Sequence, residues 1–216
     1  MTINSLIVNE IFYSIQGESS YAGLPCVFIR LRGCNLRCVY CDTEYAFYEG
    51  KKLSIDEIIV HILKYNCPLV EITGGEPLLQ EGVYLLMDKL LKQNKIVLLE
   101  TNGSMDISGI NPQIIKIMDV KCPGSGMSEK NLFSNLDKLT SNDEVKFVIG
   151  NKKDYEWSKD IIKKYNFSYK CKILFSPVFN KINPQLIIKW ILKDKLYIRF
   201  QIQLHKYIWA PDKRRV

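Results

Sequence analysis

Cys34, Cys38 and Cys41 put three thiols at C-x3-C-x2-C spacing, too tight for one helix face and too short for a hairpin. A loop wrapped around a single object satisfies that spacing. Thiolates are soft ligands, so the object is zinc or an iron–sulfur cluster. A structural zinc site takes four protein ligands, usually as two separated pairs. Here a triplet stands without a second pair, because Cys26, Cys67, Cys122 and Cys171 are isolated. A [4Fe–4S] cluster is able to use three cysteines and keep one iron open for a small molecule. The competing explanations are three buried thiols, or a Cys3His zinc site completed by His61 or His205.

Other polar residues sit where they could serve a ligand near that loop. Ser14-Ile15-Gln16-Gly17-Glu18 is a polar turn whose glycine lets backbone approach a ligand. Arg30 is a lone guanidinium in an apolar run from Cys26 to Arg32 that leads into the cysteines. It suits bidentate pairing with a carboxylate, or pairs structurally with an acid of the protein. Gly74-Gly75-Glu76-Pro77 exposes backbone carbonyls and offers a carboxylate to an ammonium group; an ordinary strand-to-helix turn has the same composition. Gly150-Asn151-Lys152 opens a helix, where amides meet a ribose or carboxylate. Ser176-Pro177-Val178-Phe179 offers apolar atoms and one hydroxyl to an adenine. Turn chemistry explains either of these last two equally well.

The elements that position these groups alternate. Apolar runs rich in Ile and Val at 3–12, 26–32, 69–73, 95–100, 117–121, 144–149, 172–175 and 196–203 read as strands. Helical patterns follow several of them, at 55–65, 79–93, 151–164 and 183–193. Ser54 and Glu57 form a capping box for the first of these helices. Such alternation predicts an α/β fold with a mainly parallel sheet. The glycines and polar residues gather where strands end, and in parallel βα folds those carboxyl ends share the ligand-binding rim. At 216 residues the chain is shorter than the ~250 of a full eightfold barrel, so an incomplete TIM-type barrel of about six parallel strands is expected. No repeat, low-complexity run or linker divides it, so one domain spanning 1–216 is expected.

Hydrophobic content of 47% and charged content of 25% are those of a globular protein. No apolar window is long enough to span a membrane, and Met1 to Glu10 lacks the features of a signal peptide. Seven cysteines without scaffold spacing argue for a reducing, cytoplasmic location. The net charge of +7 is spread over presumed helix faces and reads as solvated surface rather than a nucleic-acid footprint.

The cysteine loop, with Gly74-Gly75-Glu76-Pro77 one strand later, resembles the radical SAM enzymes, whose open iron is chelated by S-adenosylmethionine. A finer resemblance covers most of the chain. It runs through Phe12-Tyr13-Ser14-Ile15-Gln16-Gly17-Glu18, Phe28-Ile29-Arg30-Leu31-Arg32-Gly33-Cys34, Cys41-Asp42-Thr43, Glu100-Thr101-Asn102-Gly103 and Gln203-Leu204-His205-Lys206. In these stretches the sequence is similar to the 7-carboxy-7-deazaguanine synthases. Many members carry a longer insert between the first two cysteines; this chain has the plain spacing.

The resemblance implies a radical ring contraction of 6-carboxy-5,6,7,8-tetrahydropterin to 7-carboxy-7-deazaguanine with release of ammonia, in queuosine and 7-deazapurine biosynthesis. It implies a carbon–nitrogen lyase with a [4Fe–4S] cluster on Cys34, Cys38 and Cys41, S-adenosylmethionine and Mg²⁺. Thr43 resembles the magnesium ligand. Tyr40, Cys41, Asp42, Gly75, Glu76, Gly103, Gly150, Asn151, Lys152, Ser176, Pro177, Val178 and Phe179 are placed by it against S-adenosylmethionine. Ile15, Gln16, Gly17, Glu18, Arg30, Thr101 and His205 are placed against the pterin. A homodimer and an external one-electron donor of the flavodoxin or ferredoxin type are also implied. The rivals are another radical SAM enzyme, such as a glycyl-radical activase, and a non-enzymatic zinc or RNA-binding module.

Overall fold

The computed structural model describes residues 4–216. The strand expected from Ile3 is seen there as β1 (Ser5–Ile15); Ile3 itself lies outside the described residues. Chain order then gives β2 (Pro25–Leu31), β3 (Lys51–Ser54), α1 (Ile55–Leu63), β4 (Leu69–Gly74), α2 (Gly82–Lys92), β5 (Ile96–Thr101) and β6 (Ile115–Val120). It ends with β7 (Glu144–Ile149), α3 (Lys152–Tyr165), β8 (Lys172–Pro177), α4 (Pro184–Lys193), β9 (Arg199–Phe200) and α5 (His205–Ile208).

The strands form one sheet in the order β3-β1-β2-β4-β5-β6-β7-β8-β9. Every neighbouring pair from β2 to β9 is parallel. β2 has seven residues, β4 to β8 have six each, and β9 only two. This is the open, partial barrel the sequence led us to expect.

Two elements differ. β1 runs antiparallel to both β2 and β3. The turn after β1 is short, closed by bonds of 2.8 Å from Gln16 N–H to Leu24 O and from Gly23 N–H to Gln16 O. A parallel return would need a crossover of about a dozen residues. β9 is also shorter than the run at 196–203. After the bond from Gln201 N–H to Phe175 O (3.0 Å), the chain leaves the sheet and turns toward the rim.

The helices bury one stripe each: Ile58 and Ile62 on α1, Leu86 and Leu90 on α2, Tyr155 and Ile161 on α3, Ile187 and Ile191 on α4. Residues three or four apart share a face, with buried Ser158 linking Tyr155 to Ile161 on α3, so these stripes pack onto the sheet. Burying each such Leu or Ile contributes about 1.5–3 kcal/mol. The Ser54–Glu57 capping box is present, with Ser54 N–H donating to Glu57 at 2.7 Å and Glu57 N–H to Ser54 Oγ at 3.2 Å. Among the described residues no helix is long and apolar enough to cross a membrane.

Candidate active site

β2 delivers the chain into the cysteine loop at the carboxyl rim. Bonds from Gly33 N–H to Ala46 O (2.9 Å) and from Val39 N–H to Ser125 O (3.1 Å) fasten the loop to its surroundings. Arg37 Nη1 donates to the carbonyls of Cys34 (2.8 Å) and Leu36 (2.7 Å) inside it. Cys34, Cys38 and Cys41 are only partly buried, whereas Cys26, Cys67, Cys122 and Cys171 are buried. All three line one cavity of about 530 Å³.

The paired glycines after β4 have a steric reason to be glycines. Gly75 N–H donates to Leu31 O at 3.3 Å and Glu76 N–H to Gly33 O at 2.7 Å, so this turn lies directly beneath the cysteine loop. A Cβ on Gly75 would overlap Gly33 O and come within 2.8 Å of Cys34 Cβ. Gly74 adopts φ +147° and would collide with Leu31 backbone. Gly75→Ala is therefore expected to displace the cysteine loop and lower the melting temperature by several degrees, about 2 kcal/mol or more of strain. Thermal denaturation checks this, with a surface substitution such as Lys193→Ala as the control.

Among the described residues no three His, Cys, Asp or Glu side chains converge as the ligands of a lone ion do. A cubane asks for a different arrangement, each thiolate meeting a separate iron. Three partly exposed thiols around a common cavity, on a loop pinned at several points, fit that demand. Burial pushes the Cys38 and Cys41 thiols up, and the Lys121 ammonium works against it.

The floor of the cavity is charged. Strand side chains alternate in direction, and the inward positions of four neighbouring strands carry Glu71 and Thr73 on β4, Glu100 on β5, Asp119 on β6 and Lys146 on β7. Lys146 Nζ meets Glu18 at 3.0 Å and Asp119 at 3.7 Å and pairs with Glu100. Lys121 pairs with Asp119 at 2.9 Å. Burial opposes charge on Lys146, yet the carboxylates of Glu100, Glu18 and Asp119 hold its pKa well above the usual lysine value. Burial likewise opposes charge on Glu18, and Lys146 with Gln203 keeps it ionised. At Glu71 the balance is reversed: burial, then Glu100 and Glu18, raise its carboxyl well above the usual range against the smaller pull of Lys146 and Gln16.

Arg30 makes the structural pairing that was one of its two expected roles. Its Nε donates to Glu10 at 2.9 Å. That contact uses one edge, and the side chain still lines the cavity. Ile15, Gln16, Gly17, Glu18, Thr101 and His205 line it too, as do Tyr40, Asp42, Thr43, Gly75, Ser176, Pro177, Val178 and Phe179. His205 packs so closely on Gly17 that a Cβ there would overlap its Nδ1. Burial lowers the His205 pKa, which favours the neutral imidazole at pH 7. Lys206 bonds Asp42 at 2.6 Å, and Gln203 Nε2 bridges Asp42 (3.1 Å) and Glu18 (3.0 Å). The segment after β9 thereby ties the cysteine loop to the turn after β1.

Five expected ligand-binding residues do not lie on the cavity wall. Glu76 is fully buried, its carboxylate accepting Thr101 Oγ (2.9 and 3.0 Å), Asn102 N–H (2.7 Å) and Leu78 N–H (3.1 Å). It has become the brace of the rim rather than a free acceptor. Gly103 (φ +71°) is a turn residue against Met118, its carbonyl taken by Leu132 N–H. Gly150 N–H donates to Asp154, and Asn151 caps α3 through Asp154 N–H at 3.0 Å. Lys152 points outward, over the rings of Tyr155 and Trp190, and pairs with Glu156 at 2.7 Å.

The chain matches the radical SAM superfamily model over residues 28–189. It is 46% identical to the 7-carboxy-7-deazaguanine synthase of Chlorobaculum tepidum, with 98% of this chain and 97% of that protein covered. It is 43% identical to the synthase of Koribacter versatilis over 97% and 99% of the two chains. The chain belongs to the 7-carboxy-7-deazaguanine synthase family. Its fold is that of QueE from Escherichia coli, with a TM-score of 0.76 at 23% identity over 93% of this chain and 95% of that one.

Within this 7-carboxy-7-deazaguanine synthase family member, sequence reasoning missed most of the cavity floor. Glu71, Thr73, Asp119, Lys121 and Lys146 had not been singled out, and Glu100 only as the first residue of a resembling stretch. The signal was present, as charged residues at alternate positions of otherwise apolar strands. From sequence alone the tail at 208–216 could either close the pocket or hang free. Pro211 to Val216 line the cavity mouth, where Arg214 stacks 3.7 Å over Tyr45 and bonds Glu49 at 3.0 Å.

Proposed function

We propose that this single-domain chain converts 6-carboxy-5,6,7,8-tetrahydropterin to 7-carboxy-7-deazaguanine, with loss of ammonia, in 7-deazapurine biosynthesis. One observation carries the reading. Three partly exposed thiols, a guanidinium and a carboxylate-rich floor face a single cavity of about 530 Å³, within the usual size of small-molecule sites. A glycyl-radical activase would need a broad open face for a protein partner instead.

Cys34, Cys38 and Cys41 would hold the [4Fe–4S] cluster, with S-adenosylmethionine along Tyr40, Asp42, Gly75 and 176–179. When bound, these groups supply one-electron reductive cleavage and hydrogen-atom abstraction. The protein's own work is orientation and exclusion of water. Arg30 offers its remaining guanidinium nitrogens to the pterin carboxylate. Glu18, held ionised by Lys146, accepts from ring N–H groups. Neutral His205 gives one donor and one acceptor beside it. Thr43, whose hydroxyl bonds Asp42 at 3.0 Å, is the protein's contribution to a Mg²⁺ site completed by substrate and water. An external flavodoxin- or ferredoxin-type donor, a homodimer and a cytoplasmic setting complete the proposal.

Anaerobic reaction of the reconstituted protein with the carboxypterin, S-adenosylmethionine, Mg²⁺ and a reductant should yield 7-carboxy-7-deazaguanine by mass. S-adenosylmethionine cleavage without that product would favour a different radical SAM activity.

A further inference from the structure

Glu71 is an acid in the middle of an apolar strand, Leu69-Val70-Glu71-Ile72, only 4% exposed and beside Phe28 of β2 and Leu98 of β5. Buried carboxyls are costly unless a partner justifies them. The floor cation that faces Glu71 is Lys146, already shared by Glu18, Glu100 and Asp119. What Glu71 does hold is the amide of Gln16, whose Nε2 donates to its Oε2. The other end of that amide is also committed, Gln16 Oε1 accepting Glu18 N–H at 3.1 Å. The next carbonyl, Gly17 O, accepts Leu204 N–H at 3.0 Å, one residue before His205.

We propose that Glu71 is a positioning residue: its carboxyl fixes the Gln16 amide, and through it the Gln16-Gly17-Glu18 turn against which the pterin lies. The inference rests on the substrate assigned above. With Nε2 and Oε1 both engaged, the amide cannot flip, and the Glu18 carboxylate starts from one defined main-chain position. The titratable groups facing Glu71 are Glu18 on the turn, Cys26 on β2, Glu100 on β5 and Lys146 on β7. At Glu71, burial with Glu100 and Glu18 beside it raises the pKa well above the usual carboxyl value, and its Oε2 is engaged by Gln16 Nε2. Without Glu71, the Gln16 N–H group is left buried and unpaired, and the turn is free to move.

The test is a double-mutant cycle read as the Kd of the carboxypterin for the iron-loaded protein with S-adenosylmethionine. The heat of binding is followed by titration calorimetry under argon. Glu71→Leu should weaken binding by roughly 10- to 100-fold, the fold-change of one unsatisfied buried donor. Glu71→Gln, whose carbonyl still accepts, should stay within about threefold of wild type. Combined with Gln16→Leu, the Glu71→Leu change should add less than about twofold, because it acts through the residue already removed. Melting temperature and iron content are measured for each variant. If Glu71→Leu loads no iron, Glu71→Thr replaces it in the cycle. Additive effects, or a Glu71→Leu protein that binds as wild type does, would overturn the positioning role alone. Wild-type protein that fails to bind the carboxypterin would overturn the substrate assignment and this inference with it.

Discussion

Purified under argon, a Cys38→Ala variant is expected to be colourless, to carry little iron or sulfide, and to convert no detectable carboxypterin. The loss should exceed about 10⁶-fold, the lower end of what enzymes provide over uncatalysed chemistry. Cys38 stands on the cavity wall in a loop pinned at Gly33, Arg37 and Val39, so its thiol has no packing task to explain its presence. Cys26 is the control. It is fully buried in the apolar core, where a free cysteine behaves as a small hydrophobe. Cys26→Ala should cost about 1 kcal/mol of stability and leave iron content unchanged. Iron and sulfide assays together with violet absorbance decide the matter. Wild-type iron in Cys38→Ala would remove that thiol from the ligand set.

Lys146→Met is expected to be the most destabilising change on the cavity floor, at about 3–5 kcal/mol near pH 7. The lysine side chain is 6% exposed and faces Glu18, Glu100 and Asp119 together. Methionine keeps the volume but leaves Glu18 and Glu100 without their cation, while Asp119 keeps Lys121. Burial then acts on Glu18 without Lys146 to oppose it, so the Glu18 pKa in the folded variant rises above the unfolded one. The folded state binds more protons than the unfolded state, so stability falls as pH rises and recovers as pH drops toward 5. Wild type behaves oppositely at Glu18. There the folded pKa is depressed, so its contribution is present above the unfolded value and lost as pH falls through the folded one. Denaturant melts of both proteins at pH 5 and pH 7 should show the deficit shrinking at the lower pH. A deficit independent of pH would mean that lost packing, not charge, is responsible.

The cavity-lining groups carried by short, local motifs were legible from the sequence. The cysteine spacing, Gln16-Gly17-Glu18, Gly74-Gly75 and Arg30 each declare themselves within a few residues, and the structure gathers them at one cavity. The parallel order of β2 and β4 to β8 followed from the alternation of strand and helix. Glu76 misled because a carboxylate beside two glycines looks available, whereas backbone amides at Asn102 and Leu78 claim it. Lys152 misled similarly, since only the packing of α3 against Trp190 reveals which way it points. Lys146, Glu71 and Asp119 lie on different strands. Their association depends on sheet register, which no single stretch of sequence states.

An inner wall lined with acids and lysines cannot be sealed by apolar packing, so the helices outside supply the hydrophobic grip. A tenant of that hollow therefore acts as part of the architecture. By mass action each tenfold rise in its free concentration above Kd adds about 1.4 kcal/mol to the folded form. Folding and ligand supply are thus coupled, and the protein becomes sturdier as its ligand accumulates.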